Sequence, residues 1–394
     1  MKLLIENFYN IKHAELDFKK FNILIGPQAA GKSLIAKVLY FLFEATSFYN
    51  LSSVNELARE TVNQKLNSIF TSIFEQSSLD NDFKIKLDFG KLIHITCDRN
   101  GITTSENYID ASQSFIPELK QAIKAIHNAP EEHIEAYIHL LIESSTDIKN
   151  AFGIFIPASR SLVNIVEQNL FWMPSNAIDY FLNRFGRLYF NQIKKCTEET
   201  NFKCKDLETI IKGSIERSNT QYLVNENGRK TKLANTSSGQ QSTIPVIIAL
   251  ELLKSNKTPY TFIEEPEAHI FPEAQYLLTR YISEIHNQTN TNITLTTHSP
   301  YILTAVNNLI YAGTVGKQSE EKAAKVKEII PESEWLNSED VAAYMVEADG
   351  TIRSIMDEET GLIDADSIDD VSDVIGSEFN KILDIEFEEE AANA

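Results

Sequence analysis

Cysteine and long apolar runs are both scarce in this sequence of 394 residues. Its three cysteines, Cys97, Cys196 and Cys204, are odd in number and show no Cys-x-x-Cys spacing. This pattern argues against a disulfide framework and is typical of a reducing cytoplasm. No run approaches the roughly 18 consecutive apolar residues of a transmembrane helix. The alternating start of the chain predicts a β-strand rather than a signal peptide, so we expect a cytoplasmic protein with no membrane partner.

Positive charge is also scarce, with 36 Lys and Arg against 56 Asp and Glu and a net charge of −20. Residues 353–394 hold 14 acidic and two basic residues, so this tail accounts for −12 of the total. An acidic tail is typical of a solubilising or partner-docking segment. It disfavours non-specific wrapping of nucleic acid, although a local basic patch could still contact phosphate.

The order of patterns along the chain predicts an α/β fold with a mainly parallel sheet and an antiparallel sub-sheet. Residues 1–46 read as three strands, a glycine loop and a helix, and residues 221–312 supply a hairpin followed by alternating helices and strands. Between them, 47–220 reads as an insertion lobe with a hairpin over 83–97 and helical patterns at 52–77, 116–147 and 174–218. Those patterns are too short for a long antiparallel coiled coil. The remainder, 313–394, reads as a small acidic segment with a hairpin and a last helix near 367–384.

The strongest motif follows the apolar run Phe21–Ile25 and precedes a helical pattern. It satisfies Gly-x-x-x-x-Gly-Lys-Ser, in which loop N–H groups and the helix N-terminus point at phosphate groups. In this pattern Lys32 places a positive charge on the β- and γ-phosphates, and Ser33 binds Mg²⁺. The residues predicted to bind nucleotide are Gly26, Pro27, Gln28, Ala29, Ala30, Gly31, Lys32, Ser33 and Leu34.

Two acidic residues, Glu264 and Glu265, end a second apolar strand. Paired acids at the end of a buried strand are costly unless they serve a metal or a water molecule. The segment resembles the acidic strand of ABC-type ATPases, and this resemblance implies that Glu264 helps to hold Mg²⁺ and that Glu265 acts as general base toward the attacking water. Aspartate is commoner at the first position, so Glu264 departs from the usual pattern. The structural alternative is an exposed glutamate pair at a strand edge.

Three further sites complete the predicted set. Ser237, Ser238, Gly239 and Gln240 lie in a Ser-Ser-Gly-Gln loop, and Ser238 with Gln241 fits a helix capping box, which is itself the structural alternative. Pro245 implies that this helix either begins near Ser242 or is kinked. His298 ends an apolar strand 33 residues after Glu265. Arg160, within residues 153–161, could contact phosphate, transmit the nucleotide state or form a structural ion pair.

Together these motifs resemble the ABC-type ATPases of the SMC, RecF and OLD group, which are often described simply as AAA-family ATPases. The resemblance is strong over residues 1–45 and 234–312. It implies ATP and Mg²⁺ as ligands and His298 as a sensor of the γ-phosphate. It also implies a head-to-tail dimer in which the Ser237–Gln240 loop completes the partner's phosphate site. Arg160 stands where such heads carry a glutamine loop.

Compact members of this group are frequent in bacterial anti-phage systems, including Septu-like, PARIS-like and retron-linked operons. The resemblance therefore implies an ATPase that senses infection or restrains a separately encoded effector such as a nuclease. A Toprim nuclease within this chain is not expected, because Asp364-Ala365-Asp366 is the only Asp-x-Asp of the tail and lacks a full apolar strand before it.

Two other functions stay open at this stage. A RecF-like DNA-repair ATPase is favoured by the stretch 190–232, where nine basic residues, including Arg229, Lys230 and Lys232, stand against six acidic ones. The alternative reading of that stretch is a solvated surface. A transporter ATPase is disfavoured, since about 200 residues separate Ser33 from Ser237, roughly twice the spacing in transporter heads.

Overall fold

A computed structural model describes residues 1–52, 56–75, 82–88, 94–104, 153–166, 178–195, 205–218, 221–255 and 260–364. The helices in these ranges are α1 (Lys32–Ser52), α2 (Glu56–Ile73), α3 (Leu162–Val166), α4 (Tyr180–Lys195), α5 (Lys205–Ile211), α6 (Ser238–Ser255), α7 (Pro272–Thr289), α8 (Pro300–Gly316) and α9 (Glu320–Lys327). Over these residues, none of the helices has the length and apolarity needed to cross a membrane. The predicted helices at 116–147 and 367–384 lie outside the described residues.

A six-stranded sheet forms the centre of the fold, in the order β14-β13-β3-β12-β11-β7. Its strands are β3 (Phe21–Ile25), β7 (Gly153–Ile156), β11 (Tyr260–Glu264), β12 (Asn292–Thr297), β13 (Val341–Val346) and β14 (Ile352–Ser354). All neighbours pair in parallel except β13 and β14, which are antiparallel. The carboxyl ends of β3, β11 and β12 therefore meet at one edge of the sheet, where ligands bind in folds of this kind.

Two antiparallel sheets accompany the central one. The five-stranded sheet has the order β2-β1-β4-β5-β6 and the three-stranded sheet the order β10-β9-β8. Their strands are β1 (Lys2–Phe8), β2 (Ile11–Asp17), β4 (Lys84–Asp88), β5 (His94–Asp98), β6 (Gly101–Thr104), β8 (Ser214–Ser218), β9 (Gln221–Glu226) and β10 (Arg229–Lys232). The α/β fold with a mainly parallel sheet and antiparallel sub-sheets is confirmed, as are the hairpins β4–β5, β9–β10 and β13–β14.

The boundaries of the sheets do not coincide with the predicted division into 1–46 with 221–312, 47–220 and 313–394. Strand β7, from the middle of the expected insertion, is the edge strand of the central sheet beside β11. Strands β13 and β14, from the expected tail segment, extend the same sheet next to β3. The helical pattern predicted over 174–218 also ends early, because residues 214–218 pair with β9. Four-residue strands such as Gly153–Ile156 carry too little pattern to reveal their sheet from sequence.

Both faces of the central sheet are covered by apolar side chains. Along β3, Ile23 and Ile25 pack into the cluster shared with α6, α7 and α8, whereas Leu24 packs into the cluster shared with α1, α2 and the five-stranded sheet. Burial of each such side chain stabilises the fold by roughly 1.5–3 kcal/mol. The sheet edge that carries the functional loops is thus supported from both sides.

A buried histidine makes the stability of this core sensitive to acid. His286 on α7 is 7% exposed, packs edge-on against Phe21 and donates from Nδ1 to the carbonyl of Thr291 at 2.7 Å. Burial lowers its pKa below the usual 6.5, while the Thr291 bond acts in the opposite direction. At a pH between the folded and unfolded pKa values of His286, the unfolded chain therefore binds more protons at this residue than the folded chain does.

The sign of that difference gives a pH prediction. We expect stability to fall as the pH drops from 7.5 to 5.5, with His286 contributing at most about 1.4 kcal/mol per pH unit. Urea unfolding at several pH values measures the slope. His286→Gln, which cannot titrate, should flatten the slope between pH 5.5 and 6.5. An unchanged slope in that variant would assign the pH dependence to other groups.

Candidate nucleotide site

The predicted phosphate loop lies between β3 and α1 at the carboxyl edge of the central sheet. Three of its residues have positive φ angles: Gly26 at 149°, Ala29 at 63° and Gly31 at 114°. At Gly26 a Cβ atom would lie 2.1 Å from the carbonyl oxygen of Val346. Glycine is therefore required at this position by both backbone conformation and the close passage of β13.

Asn10 supports the loop from the β1–β2 turn. Its Nδ2 donates to the carbonyls of Ala29 at 3.0 Å and Ala30 at 2.8 Å. Sequence reasoning missed this residue, because it lies 19 residues before the first of its partners and belongs to no motif. The turn signal of Tyr9-Asn10 marks a loop without indicating what it contacts.

The ammonium group of Lys32 contacts two carbonyls of the loop and the ring of His298. It donates to the carbonyl of Gly26 at 2.8 Å and of Pro27 at 2.7 Å, and it lies 3.3 Å from Nδ1 of His298. Burial lowers the pKa of Lys32 to about 8, while the negative charges of Glu265 and Glu267 act to raise it. The group is still mostly protonated at neutral pH.

His298 connects Lys32 to Glu265. Its Nε2 lies 3.1 Å from Oε1 of Glu265, and its Nδ1 faces the ammonium of Lys32. An ammonium can only donate, so Nδ1 must accept and Nε2 must carry the proton that is donated to the carboxylate. The neutral Nε2–H tautomer satisfies both contacts. The side chains of Glu265 and His298 are each about one-third exposed, 34% and 33%, which leaves them accessible from solvent.

Neighbouring contacts hold Glu265 in a strained backbone conformation. Its φ angle is 43°, and its N–H donates to the carbonyl of Thr296 on the neighbouring strand at 2.8 Å. Positive φ is unfavourable for a residue with a Cβ and persists only when surrounding contacts fix it. The turn after β11 therefore aims the Glu265 carboxylate across the sheet edge toward His298.

Glu264, the last residue of β11, is buried at 4% exposure. Its Oε2 accepts from the Ala158 N–H at 3.0 Å, whereas its Oε1 is buried with no hydrogen-bond partner among the described residues. Burial raises the pKa of Glu264, and the nearby Lys37 charge and Ser33 hydroxyl act against that rise. A buried carboxylate oxygen left without a donor near a serine hydroxyl fits a hard cation such as Mg²⁺. Glu264 and Ser33 would hold the ion.

Glu267 is a further functional residue that sequence reasoning missed. Its Oε1 accepts from Thr297 Oγ1 and from the N–H of His298, both at 2.7 Å. These bonds fix the turn that presents the His298 ring. The only available signal was a third glutamate shortly after Glu264 and Glu265, and its role depends on a strand 30 residues further along the chain.

The Ser-Ser-Gly-Gln loop forms the N-terminus of α6, with the capping box one residue earlier than predicted. Ser237 and Gln240 bond reciprocally, with the Gln240 N–H donating to Ser237 Oγ at 3.3 Å and the Ser237 N–H donating to Gln240 Oε1 at 3.2 Å. Gln241 instead donates to the carbonyls of Ala234 and Thr236. Both pairs match the Ser-x-x-Gln pattern, so sequence alone could not choose between them.

The Ser237–Gln240 loop makes no hydrogen bond to Lys32, His298 or Glu265 within the described part of the chain. It lines a cavity of about 500 Å³ together with Lys212, Arg229 and His269. A Cβ at Gly239 would lie 2.8 Å from the carbonyl oxygen of His269, so the glycine permits close packing against the turn that follows β11.

Arg160 does not form the predicted structural ion pair with any described residue, whereas contact with phosphate and transmission of the nucleotide state stay predictions. The side chain is fully buried, and it donates to the carbonyls of Pro157, Ser242, Glu264 and Glu265 at 3.2, 2.8, 2.7 and 2.8 Å. Burial lowers its pKa to about 10, so it stays charged at neutral pH. Backbone carbonyls therefore occupy all three nitrogens of the guanidinium.

The sequence is similar to that of a known protein family and to that of a chromosome partition protein. The family described as AAA ATPase domain matches residues 1–183 and 164–303. The chain is 24% identical over 209 residues to the chromosome partition protein Smc of Halothermothrix orenii, a match covering 52% of this chain and 16% of that protein.

Two solved structures with 12% sequence identity to the chain are SMC heads. The SMC head domain from Thermotoga maritima covers 77% of this chain and 90% of its own length with a TM-score of 0.36. The Smc head domain with an extended coiled coil from Pyrococcus furiosus, bound to the C-terminal domain of ScpA, covers 90% and 95% with a TM-score of 0.41.

Proposed function

The chain belongs to the AAA ATPase domain family, and from this premise we propose that it is a nucleotide-dependent switch whose site is completed by a second copy. The family shows that the reaction is hydrolysis of ATP to ADP and phosphate. Residues 26–34 bind the nucleotide, Lys32 and His298 contact the γ-phosphate, and Glu265 is the general base. Ser33 and Glu264 would hold Mg²⁺, which would supply positive charge at the phosphates.

The observation that carries the shared site is that its two halves are not bonded to each other among the described residues. Lys32, His298 and Glu265 are bonded into one cluster, whereas Ser237 and Ser238 are exposed at the N-terminus of α6. The small side chains and N–H groups at a helix start suit a phosphate oxygen. A head-to-tail dimer would bring this loop to the phosphates bound by the partner.

For the biological role we propose the sensor or scaffold ATPase of a bacterial anti-phage system, acting in the cytoplasm. It would control a separately encoded effector such as a nuclease. The support is an assembled ATPase cluster combined with an acidic tail of net charge −12 that suits docking to a partner. ATP binding and release of phosphate would report infection to that partner through the dimer.

Infection assays with the native operon test this role. Lys32→Ala and Glu265→Gln should each lower protection by at least tenfold in plaque counts, because one loses phosphate binding and the other loses turnover. Lys317→Ala and Glu320→Gln, at exposed positions outside the site, are matched controls that should protect fully. Full protection by both site variants would rule out an ATP-driven defence role.

A DNA-clamping repair ATPase is the second candidate function, and it is favoured by the match to a chromosome partition protein. The structure places Arg229 and Lys232 on the exposed strand β10, while Lys230 is paired with Glu216. ATP-dependent DNA binding whose affinity falls steeply with salt would favour this candidate. Absence of binding at low salt would remove it.

A further inference from the structure

The short segment that follows β7 is bonded to the end of β11 and to α6 directly after the Ser237–Gln240 loop. Arg160 lies in the 3₁₀ turn Ala158–Ser161, and Asn164 lies in α3. Both side chains are buried, at 0% and 5% exposure. Neither has a carboxylate hydrogen-bond partner among the described residues, and both donate to backbone carbonyls instead.

Arg160 bridges the end of β11 and the first turns of α6. Through its two terminal nitrogens it holds the carbonyls of Glu264 and Glu265, and through Nε it holds the carbonyl of Ser242 on α6. The rigid fork of a guanidinium fixes all of these distances together, which a lysine with one nitrogen cannot do. The strained φ of Glu265 is therefore clamped from its carbonyl side.

Asn164 makes a second link to α6 at the proline. Pro245 lies inside this helix and has no N–H to donate to the carbonyl of Gln241, four residues earlier. Asn164 Nδ2 donates to that carbonyl at 2.8 Å. Its Oδ1 accepts from Tyr189 of α4 at 3.3 Å, which fixes the amide orientation. The helix thus continues from Ser238 across Pro245, and the prediction that it begins near Ser242 is wrong.

We propose that Arg160 and Asn164 are positioning residues that lock the Ser237–Gln240 loop of α6 to Glu264 and Glu265 of the same subunit. A shift of α6 on closure of the dimer then moves the carbonyls that hold Glu265 in place. Occupancy of the partner's phosphate site is in this way coupled to alignment of the general base in the subunit's own site. This inference rests on the proposed shared site.

A purely structural role for Asn164 makes a different prediction. In that case Asn164 only satisfies a carbonyl that Pro245 leaves without a donor, and an N–H restored at position 245 would replace it completely. In the coupling role, the connection between α3 and α6 matters, and restoring that N–H repairs the helix without restoring the link.

Four variants separate these roles, measured for the kcat and KM of ATP hydrolysis and for Tm. Arg160→Lys should lower kcat by at least tenfold with the KM for ATP changed by less than twofold. Asn164→Ala should lower both kcat and Tm. In Asn164→Ala/Pro245→Ala, the Tm should return to that of Pro245→Ala while kcat stays at least fivefold below it.

Recovery of kcat together with Tm in the double variant would overturn the coupling role of Asn164. A wild-type kcat in Arg160→Lys would overturn the coupling role of Arg160. If this variant does not fold, the Asn164 and Pro245 variants still test the coupling.

The Ser238→Arg variant tests the shared site separately. If Ser238→Arg abolishes turnover while the Arg160 and Asn164 variants keep it, only the coupling is wrong. If Ser238→Arg keeps wild-type turnover, the shared site is wrong and the coupling falls with it.

Discussion

Glu265→Gln is expected to lower kcat for ATP hydrolysis by about 10²- to 10⁴-fold, the usual contribution of a general base. The amide cannot take a proton from the attacking water. It can still accept the hydrogen bond that His298 donates to Oε1 of Glu265. The cluster should therefore keep its geometry and its affinity for ATP, and the variant should accumulate the ATP-bound state.

Phosphate release and equilibrium ATP binding, measured on the same preparation, check this expectation. Glu273→Gln is a suitable control, because Glu273 is exposed in the first turn of α7 and lies outside the cluster. It should retain the wild-type kcat. Turnover by Glu265→Gln within threefold of wild type would show that another group activates the water, and Glu267 would then be the residue to replace.

The part of this site that could be predicted from sequence consists of short continuous motifs at strand ends. Residues 26–33 carry the phosphate loop within eight positions, and apolar strands lead directly into Glu264 and His298. Parallel pairing of β3, β11 and β12 then places all three strand ends together. Local pattern and sheet topology agree, so these site residues could be predicted without knowledge of contacts between distant segments of the chain.

The rest of the site depends on contacts between segments far apart in the chain. The Arg160 side chain meets Ser242 and Glu264, which follow it by 82 and 104 residues. Backbone carbonyls leave no trace in a sequence, because every residue has one. This is why the sequence predicts phosphate contact, transmission of the nucleotide state or an ion pair for Arg160 and does not reveal its carbonyl acceptors. The acceptors of Asn10 and Asn164 are hidden for the same reason.

Ser238→Arg is expected to reduce turnover by at least about 10²-fold while ATP binding stays within twofold of wild type. Ser238 is the exposed first residue of α6, so an arginine fits there without disturbing the core. Its cost to the fold is small, about 0.3–1 kcal/mol for a cation at a helix N-terminus. In the closed dimer, however, the long side chain would fill the space where the partner's phosphates dock. Ser333→Arg, at an exposed position elsewhere, should leave turnover unchanged.

Mixing two inactive variants decides whether the site is shared. In a heterodimer of Ser238→Arg and Lys32→Ala, one site combines the intact Lys32 of the first subunit with the intact Ser238 of the second. The other site carries both defects. Random pairing in a symmetric dimer should therefore restore about a quarter of wild-type turnover. No recovery on mixing, when both variants bind a wild-type partner normally, would mean that the loop and the phosphates act within one subunit. Recovery can arise only if each subunit lends its α6 N-terminus to the other.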